Sequence, residues 1–240
     1  MALECVVVMA VYNEAGCIRE VCAEWLATIQ ARGNAALVVV DDGSNDGTGE
    51  ILDGLAANQA ALTVIHQPNA GHGPAILCGY RATLATGCEW VFQVDSDGQF
   101  FADDFYRLWA CAGRSAFVLG SRVQRQDRWY RVGLSNAHRV LLRCLFGTDI
   151  ADPNIPFRLM RSSLLARLLN YVPPNAFAPN VLLAVLASRS GQDPCNVPVR
   201  HRARATGTAS IRPARIGGIM LRCLTEMVGF RCGPFWRFKP

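Results

Sequence analysis

Short apolar runs alternate with amphipathic stretches through the first half of the chain, and this alternation is the feature that most constrains the fold. The runs are nearly continuous in valine, isoleucine and leucine, which is typical of strands whose two faces are both covered. They predict an α/β fold in which a doubly wound, mostly parallel sheet lies between helices. The predicted strands cover residues 3–10, 36–40, 62–66, 90–94 and 117–120, and the predicted helices cover residues 14–32, 47–58, 74–85 and 102–112.

The second half of the chain is richer in arginine, and its predicted elements are shorter. We expect a loop that reaches residue 130, followed by elements that continue the same fold. No repeat or low-complexity linker separates the halves, so residues 1–240 are predicted to form one domain with the halves 1–121 and 122–240. The predicted helices cover residues 133–145, 162–169 and 180–190, and the predicted strands cover residues 157–160 and 196–199.

Charge is divided unequally between these halves. Residues 1–121 hold 5 arginines against 14 acidic residues, whereas residues 122–240 hold 18 arginines and 1 lysine against 5 acidic residues. The net charges are therefore −9 and +14, around a total of +5. An acidic half that can hold a cation and a basic half that can hold phosphate suit chemistry on a nucleotide diphosphate. Nucleic-acid binding is the alternative, but no recognised motif accompanies the charge, so we expect no nucleic-acid partner.

Several features indicate a cytoplasmic location. The apolar run at residues 181–187 is far shorter than the roughly 18 residues that a membrane span needs. The amino terminus has no basic region ahead of its apolar run, so no secretion signal is expected. The ten cysteines occur singly, which favours reduced thiols over disulfides or a zinc site. The apolar stretch at residues 216–230 fits either a peripheral amphipathic helix or a helix packed on the core.

Polar clusters follow three of the predicted strands: YNE after the first, DDGSNDG after the second and DSDGQ after the fourth. The carboxyl ends of parallel strands meet at one edge of a sheet, so the clusters are expected to line one crevice. Asp41 and Asp42 can hydrogen-bond a ribose or a base there, although the small residues after them also suit an ordinary capped turn. The four histidines are too dispersed to indicate a metal site or a catalytic triad.

The cluster after the fourth strand has the oxygen ligands that a hard divalent cation prefers. Asp95, Asp97 and Gln99 alternate along a segment that, if extended, places their side chains on the same side of the chain. We interpret them as ligands for Mg²⁺ or Mn²⁺, with substrate phosphate completing the coordination. The alternative is a solvated turn that binds no ion.

Four segments resemble, in their order and spacing, the donor half of the inverting glycosyltransferases of family 2. They are VVVMAVYNEAGCIREV, LVVVDDGSNDGTGEIL, QPNAGHGPAILCGY and WVFQVDSDGQF. Three later segments, LGSR, ADPNIPFRLMR and VPVRHRARATGTASI, are similar to those of polyprenyl-phosphate sugar transferases in that family, such as the dolichyl-phosphate mannose synthases. The resemblance spans residues 5–212 and implies a Rossmann-like GT-A fold. Pro74 and Pro156 depart from the family pattern.

The resemblance also implies roles for individual residues. Mg²⁺ or Mn²⁺ would be bound by Asp95, Asp97 and Gln99. The catalytic residues would be Asp95, Asp97, Arg122 and Arg204. The nucleotide sugar would be bound by Ala10, Tyr12, Asn13, Glu14, Asp41, Asp42, Gly71, Asp95 and Ser96. The acceptor and its phosphate would be bound by Arg122, Arg131, Ser135, Arg202 and Arg204.

The acidic residues of the second half help to distinguish a hydroxyl acceptor from a phosphate acceptor. A hydroxyl acceptor needs a general base, whereas a phosphate monoester is already mostly ionised near neutral pH and needs none. No aspartate or glutamate occurs between Asp152 and Asp193, where related hydroxyl-directed enzymes are expected to place a catalytic carboxylate. Asp149 and Asp152 remain, either as bases or as partners of nearby arginines.

We therefore expect an inverting, metal-dependent glycosyltransferase that moves a sugar from a nucleotide diphosphate sugar to a polyprenyl phosphate. We expect it to be cytoplasmic and able to associate peripherally with the cytosolic face of the membrane. Two alternatives stay open: transfer to a glycan hydroxyl, and a nucleotide-sugar-binding protein without catalytic activity.

Overall fold

The computed structural model of the chain describes residues 3–122, 139–202, 216–233 and 236. Within these residues, seven strands form one sheet in the order β3-β2-β1-β4-β6-β5-β7. They are β1 (Cys5–Val11), β2 (Ala35–Asp41), β3 (Leu62–His66), β4 (Trp90–Asp95), β5 (Phe117–Arg122), β6 (Phe157–Arg161) and β7 (Cys195–Val199).

The predicted α/β fold with a mostly parallel sheet is confirmed. Only the pairs that β6 makes with β4 and β5 are antiparallel among the strand pairs of the described residues. The reversed direction of β6 was not predicted, because a buried apolar run has the same pattern whichever way the strand runs.

Helices connect the strands. They are α1 (Ile18–Arg32), α2 (Thr48–Ala56), α3 (His72–Ala85), α4 (Phe105–Trp109), α5 (residues 139–146), α6 (Ser162–Leu169), α7 (Pro179–Arg189) and α8 (Ile216–Cys232). A 3₁₀ turn at Ala102–Asp104 precedes α4, so the helix predicted over residues 102–112 is shorter than expected. The predicted loop to residue 130 and the first part of the helix predicted over residues 133–145 lie outside the described residues.

The start of α1 differs from the prediction. The helix begins at Ile18 and not at residue 14, because the chain after β1 first forms a loop bonded to the loop after β2. Asn13 has a left-handed backbone with φ 55°, and its N–H donates to Ser44 Oγ at 2.9 Å. The N–H of Ala15 donates to Asp46 Oδ2 at 3.0 Å. These partners are distant in sequence, so the local apolar pattern cannot indicate them.

An aromatic cluster joins α1, α4, β4 and β6 in the core. The ring of Phe92 lies 5.3 Å from Trp25, 5.1 Å from Phe105 and 4.8 Å from Phe157, measured between centroids. Pairs at such separations contribute about 0.5–1.5 kcal/mol each beyond the burial of their surfaces. The core therefore contains side chains from both predicted halves of the chain.

A fully buried arginine lies in β6. The guanidinium of Arg158 donates to the carbonyl oxygens of Pro153 at 3.0 Å, Ile155 at 2.6 Å and Asn180 at 3.0 Å. Its hydrogen bonds to the described residues all go to backbone carbonyls. Arg158 therefore joins the segment before β6 to the start of α7.

The two prolines that depart from the family pattern lie where no backbone N–H is needed. Pro74 is in the first turn of α3, where an N–H has no acceptor within the helix. Pro156 directly precedes β6, whose pairing with β4 begins at Phe157. Neither proline interrupts a helix or a strand, so neither gives a structural reason for lost activity.

The start of α3 is in close contact with the chain that precedes α7. A Cβ atom at Gly73 would overlap the carbonyl oxygens of Ala176 and Phe177. Glycine is therefore required here by the approach of two backbones. The contact brings the second half of the chain to the first turn of α3.

One face of α8 is buried and the opposite face is exposed. Met227 and Phe230 lie in the core, whereas Leu221, Leu224 and Val228 are among the exposed large apolar side chains. The helix therefore packs on the core, which is one of the two arrangements considered for residues 216–230, and it also leaves apolar side chains exposed. Among the described residues, no helix has the length and apolar character to cross a bilayer.

His66, at the end of β3, bridges two carboxylates. Its Nδ1 lies 3.0 Å from Asp41 Oδ2, and its Nε2 lies 3.0 Å from Asp53 Oδ1. The hydrogen bonds to Asp53 and to Asp41 raise the pKa of His66. In its protonated form the imidazole therefore joins β2, β3 and α2.

The free energy of unfolding is expected to depend on pH through His66. Because its pKa is raised by folding, the stabilisation is complete below the unfolded-state value of about 6.5 and is lost as pH rises through the folded-state value. The side chain is 46% exposed, so solvent screening should keep the effect below about 1 kcal/mol. Urea unfolding should show that His66→Gln costs more stability at about pH 5.5 than at about pH 8.5. An equal cost at both pH values would contradict this linkage.

Replacing Arg158 is expected to destabilise the fold strongly. Arg158→Met would leave buried carbonyls without donors, and each such group costs about 1–3 kcal/mol, so we expect a loss of about 3 kcal/mol or more in urea unfolding. Arg161→Met is the matched control in the same strand, since Arg161 is exposed and pairs with Glu89 at the surface. That control should lose less than about 1 kcal/mol. Equal stabilities for the two variants would show that the carbonyls find other donors.

Candidate functional site

A cleft of about 330 Å³ lies at the carboxyl ends of β1, β2 and β4. In the sheet, Val11 is paired with Asp41 and Ala10 with Asp95, so the three strands end at the same level. The residues predicted to bind the nucleotide sugar all line this cleft, except Asn13 and Asp41. The lining consists of Ala10, Val11, Tyr12, Glu14, Asp42, Asn69, Gly71, His72, Ala75, Asp95, Ser96 and Asp97.

Asn13 and Asp41 hold the loops behind the cleft. Asn13 Oδ1 accepts a hydrogen bond from the N–H of Asn45 at 2.9 Å. Asp41 Oδ1 accepts from the N–H of Ser44 at 3.1 Å, and Asp41 Oδ2 faces His66. Their side chains therefore fix the loops after β1 and β2 to each other and to β3.

Asp42 is buried and organises the loop after β3. Its Oδ1 accepts from Gln67 Nε2 at 2.7 Å and from the N–H of Ala70 at 2.9 Å, and its Oδ2 accepts from the N–H of Gly71 at 2.9 Å. A carboxylate has about four acceptor positions. One position therefore remains for a donor in the cleft.

Tyr12 and Glu14 form the wall that β1 contributes. Tyr12 is exposed, so its ring offers an apolar face with a polar hydroxyl. Glu14 is buried, and its Oε2 accepts a hydrogen bond from the Cys17 thiol at 3.4 Å. The wall thus combines an open aromatic surface with an enclosed carboxylate.

Asp95 and Asp97 lie at the end of β4 in surroundings that disfavour their ionised forms. Burial raises the pKa of Asp95, while the positive charges of His72, Arg122 and Arg158 lower it. Burial, and then repulsion from Asp95, raises the pKa of Asp97 to about 6. Within the described part of the chain, the buried Oδ1 of Asp95 has no hydrogen-bond partner.

These properties fit a divalent cation. The nearby positive charges do not fully compensate two adjacent carboxylates with raised pKa values, and a buried oxygen of the pair has no hydrogen bond, so Mg²⁺ or Mn²⁺ would supply the missing interaction. The residues that the structure describes contain no group of three or more His, Cys, Asp and Glu side chains that could hold a metal ion by themselves. A cation held by Asp95 and Asp97 would therefore need further ligands from water and a bound phosphate, which is how proteins usually bind Mg²⁺.

Gln99 lies beside this pair but is bonded to the segment that follows β7. Its N–H donates to Asp97 Oδ1 at 3.1 Å, and its Nε2 donates to the carbonyl oxygen of Arg202 at 3.3 Å. The Arg202 guanidinium donates to Gly98 O and, at 2.8 Å, to Glu24 Oε2. The structure thus brings Gln99 close to Asp97, whereas it turns the charged group of Arg202 away from the cleft.

Arg122, which was predicted to bind the acceptor phosphate, lies at the end of β5. Its Nε is 4.0 Å from Asp152 Oδ2, and its charge lowers the pKa values of both Asp95 and Asp97. It is therefore within electrostatic reach of the carboxylate pair. The other residues predicted to bind acceptor phosphate lie outside the described residues; they are Arg131, Ser135 and Arg204.

Sequence reasoning missed His72. It is the first residue of α3, it lines the cleft, and its Nε2 lies 3.8 Å from Asp95 Oδ1. The spacing of the histidines gave no sign of this contact. The position of His72 could have indicated it, because the first residue of a helix that follows a parallel strand lies at the edge of the sheet where the strands end.

Comparison with known proteins identifies relatives over most of the chain. The family model described as glycosyl transferase family 2 matches residues 6–173. The undecaprenyl-phosphate 4-deoxy-4-formamido-L-arabinose transferase of Edwardsiella ictaluri is 28% identical over 226 residues, which are 91% of this chain and 67% of that protein. The polyprenol monophosphomannose synthase of Mycolicibacterium smegmatis is 29% identical over 195 residues, which are 78% of this chain and 74% of that protein. The chain spans 64–67% of the length of the arabinose transferases that it matches.

Solved structures share the architecture. Mannosyl-3-phosphoglycerate synthase from Rubrobacter xylanophilus superimposes with a TM-score of 0.72 at 15% identity, over 99% of this chain and 76% of that one. Glucosyl-3-phosphoglycerate synthase from Mycobacterium tuberculosis, crystallised with Mn²⁺, UDP and phosphoglyceric acid, gives a TM-score of 0.68 at 22% identity, over 96% of this chain and 79% of that one. At these identities the likeness concerns the fold, and it confirms the predicted GT-A fold. Since the family model covers well over half of the sequence, from β1 to the residues after α6, the chain belongs to glycosyl transferase family 2.

Proposed function

We propose that this chain transfers a sugar from a nucleotide diphosphate sugar to a polyprenyl phosphate, with inversion at the anomeric carbon. The observation that carries the proposal is the carboxylate pair Asp95 and Asp97, which opens into the same cleft as Tyr12 and Asp42. Two relatives, an undecaprenyl-phosphate transferase and a polyprenol monophosphomannose synthase, support this class of acceptor. The proposal includes peripheral association with the cytosolic face of the membrane, because the bilayer carries such an acceptor.

The donor nucleotide would lie along the ends of β1 and β2. The exposed ring of Tyr12 suits stacking against a base. Asp42 can accept one further hydrogen bond, from an N–H of the base or an O–H of the ribose. The hydrogen bonds that it already accepts hold its carboxylate in place before the nucleotide sugar binds. The bonds of Asn13 and Asp41 hold the loops that carry these groups.

The diphosphate would lie between β4 and α3, beside Asp95, Asp97 and His72. The two aspartates would hold Mg²⁺ or Mn²⁺, and the cation when bound would neutralise charge that develops on the departing diphosphate. His72 lies on the other side of Asp95 Oδ1, where it can orient that carboxylate or donate to a phosphate oxygen. Arg122 adds positive charge from the acceptor side.

A phosphate acceptor fits the state of two carboxylates in the second half of the chain, Asp149 and Glu226. Arg139 and Arg143 both donate to Asp149, and their bonds lower its pKa to about 2, so it is a poor base near neutral pH. Glu226 reaches the start of α7, but its oxygens accept from the N–H groups of Phe177 and Ala178. An acceptor that arrives ionised needs neither group as a base.

Transfer to a glycan hydroxyl is the second candidate, and Asp152 is the observation in its favour. Its Oδ2 lies 4.0 Å from Arg122 Nε, on the side of the site where the acceptor would enter. A carboxylate in that place could remove the proton of a hydroxyl.

Asp97→Asn is expected to abolish cation binding and to stabilise the metal-free protein. The pKa of Asp97 is about 6 in the folded chain against about 3.9 in an unfolded one. The ionised carboxylate therefore opposes folding above about pH 6 and has no such effect below about pH 3.9. Thermal unfolding without metal should show a gain from asparagine at about pH 8 that shrinks as the pH falls to about 5.

The same variant tests the cation site through ligand binding. Manganese chloride with UDP or GDP should raise the unfolding temperature of the wild-type protein and leave that of Asp97→Asn unchanged. Transfer activity should fall by about 100-fold or more. Asp103→Asn, in an exposed position of the nearby 3₁₀ turn, should retain both properties. If Asp97→Asn still gains stability from manganese and nucleotide, the cation is bound elsewhere.

Asp152→Asn separates the two acceptor classes. Loss of a general base typically costs about 10²–10⁴-fold in rate, whereas a phosphate acceptor should lose less than about tenfold. The measurement is transfer of label from UDP- and GDP-sugars to a short-chain prenyl phosphate and, in parallel, to oligosaccharides. The hydroxyl mechanism would be favoured if the wild-type protein labels oligosaccharides but not prenyl phosphate, and if Asp152→Asn no longer labels the oligosaccharides.

A further inference from the structure

The exposed side of α8 has the composition of a membrane-binding surface. We propose that Leu221, Leu224 and Val228, here called the outer face of α8, insert into the headgroup region of a bilayer that contains anionic lipid. This inference rests on the proposed function, because it identifies how an enzyme with a lipid-linked acceptor would meet that acceptor.

The outer face is apolar although it points away from the core. Leu221 is 62% exposed, Leu224 37% and Val228 41%. The spacing of three and then four residues places the three side chains on one side of the helix, along about 10 Å of its length. The buried residues Met227 and Phe230 are on the other side. A surface helix packed only on its own protein would be polar at these positions.

Arginines border the outer face on both sides. At 3.6 residues per turn, Arg222 lies roughly 100° to one side of Leu221 and Arg231 roughly 80° to the other. Both arginines are exposed, although each guanidinium also contacts the protein: that of Arg222 lies over the ring of Phe177, and Arg231 Nε donates to the carbonyl oxygen of Leu145 at 3.0 Å. Their positive charges therefore remain at the surface beside the outer face, where they attract anionic lipid.

No exposed acidic residue opposes an anionic membrane on this helix. The only acidic residue between positions 216 and 233 is Glu226. Its carboxylate is turned inward to the N–H groups of Phe177 and Ala178. Apolar side chains between basic borders are typical of helices that lie in the membrane interface.

The outer face is linked to the cleft by two contacts. Glu226 binds the N–H groups at the start of α7, and the ring of Phe177 also lies 4.4 Å from the Arg222 guanidinium. The same stretch touches Gly73 in the first turn of α3, next to His72 in the cleft. A bilayer bound at α8 would therefore be near the side of the cleft where a lipid phosphate must enter.

The size of the face favours a bilayer over a protein partner. The surface of three side chains with charged borders is far smaller than the roughly 800 Å² that each partner of a stable protein complex usually buries. Weak insertion combined with electrostatic attraction is sufficient for reversible association with a membrane.

The test is binding of the full chain to lipid vesicles. Sedimentation with phosphatidylcholine vesicles that contain about one third phosphatidylglycerol should show binding that weakens with salt. The triple variant Leu221→Ser, Leu224→Ser, Val228→Ser should bind at least about tenfold more weakly. Leu221→Ser alone, at the most exposed of the three sites, should show a smaller loss with an unchanged unfolding temperature. Tyr106→Ser, which removes an exposed ring on α4, is the control and should bind as the wild type does.

Vesicle binding by the triple variant equal to that of the wild type would overturn the proposal. So would a wild-type dimer that the triple variant breaks in analytical ultracentrifugation, because the face would then bind a second copy. Transfer to a water-soluble short-chain prenyl phosphate tests the proposed function separately, and the triple variant should retain it. If no prenyl phosphate accepts sugar while the variant loses vesicle binding, the membrane surface stands and the proposed acceptor is wrong.

Discussion

The buried guanidinium of Arg158 connects the packing of the second half of the chain with the charge of the carboxylate at the end of β4, and both depend on it. By binding the carbonyls of Pro153 and Asn180, it holds the segment before β6 against the start of α7. Its charge also favours the ionised form of Asp95, although the two residues belong to different halves of the chain. Removing a charge from water costs several kcal/mol, and here carbonyl dipoles offset part of that cost. One residue thus contributes both to the packing of the second half of the chain and to the electrostatics of the carboxylate at the end of β4.

The carboxylates of Asp95 and Asp97 are the opposite case, since they make the isolated fold less stable. Burial raises the pKa of both, repulsion from Asp95 further raises that of Asp97, and the described residues leave Asp95 Oδ1 without a hydrogen bond. Groups held in this way are concentrated at functional sites, where a ligand supplies the missing interaction. The neighbouring acids follow a different pattern: Asp41 and Asp42 have backbone and side-chain donors of their own. The two pairs of aspartates, each at a strand end, therefore have different roles.

The local sequence pattern was sufficient to predict most of the strands and helices. It was not sufficient to predict the contacts between segments that are distant in sequence. β1, β2 and β4 were predictable because each is an almost fully buried apolar run, and the shared crevice followed from parallel strand ends. The direction of β6 depends on its connection to β5, which leaves no mark in the run itself. The turn of Arg202 toward Glu24 and the approach of His72 to Asp95 depend on contacts between distant segments. An arginine or histidine count cannot distinguish a side chain that faces a ligand from one that joins two loops.

The glycine at position 73 determines one way in which a substitution outside the ligand-binding groups could impair the protein. At this point the first turn of α3 meets the chain before α7 through main-chain atoms, so no side chain there can move aside for a larger residue. Even one added methyl group would overlap the carbonyl oxygens of Ala176 and Phe177 and push the two segments apart. Such a lesion would leave the side chains that line the cleft unchanged and still shift the first turn of α3, and with it His72, relative to the chain before α7.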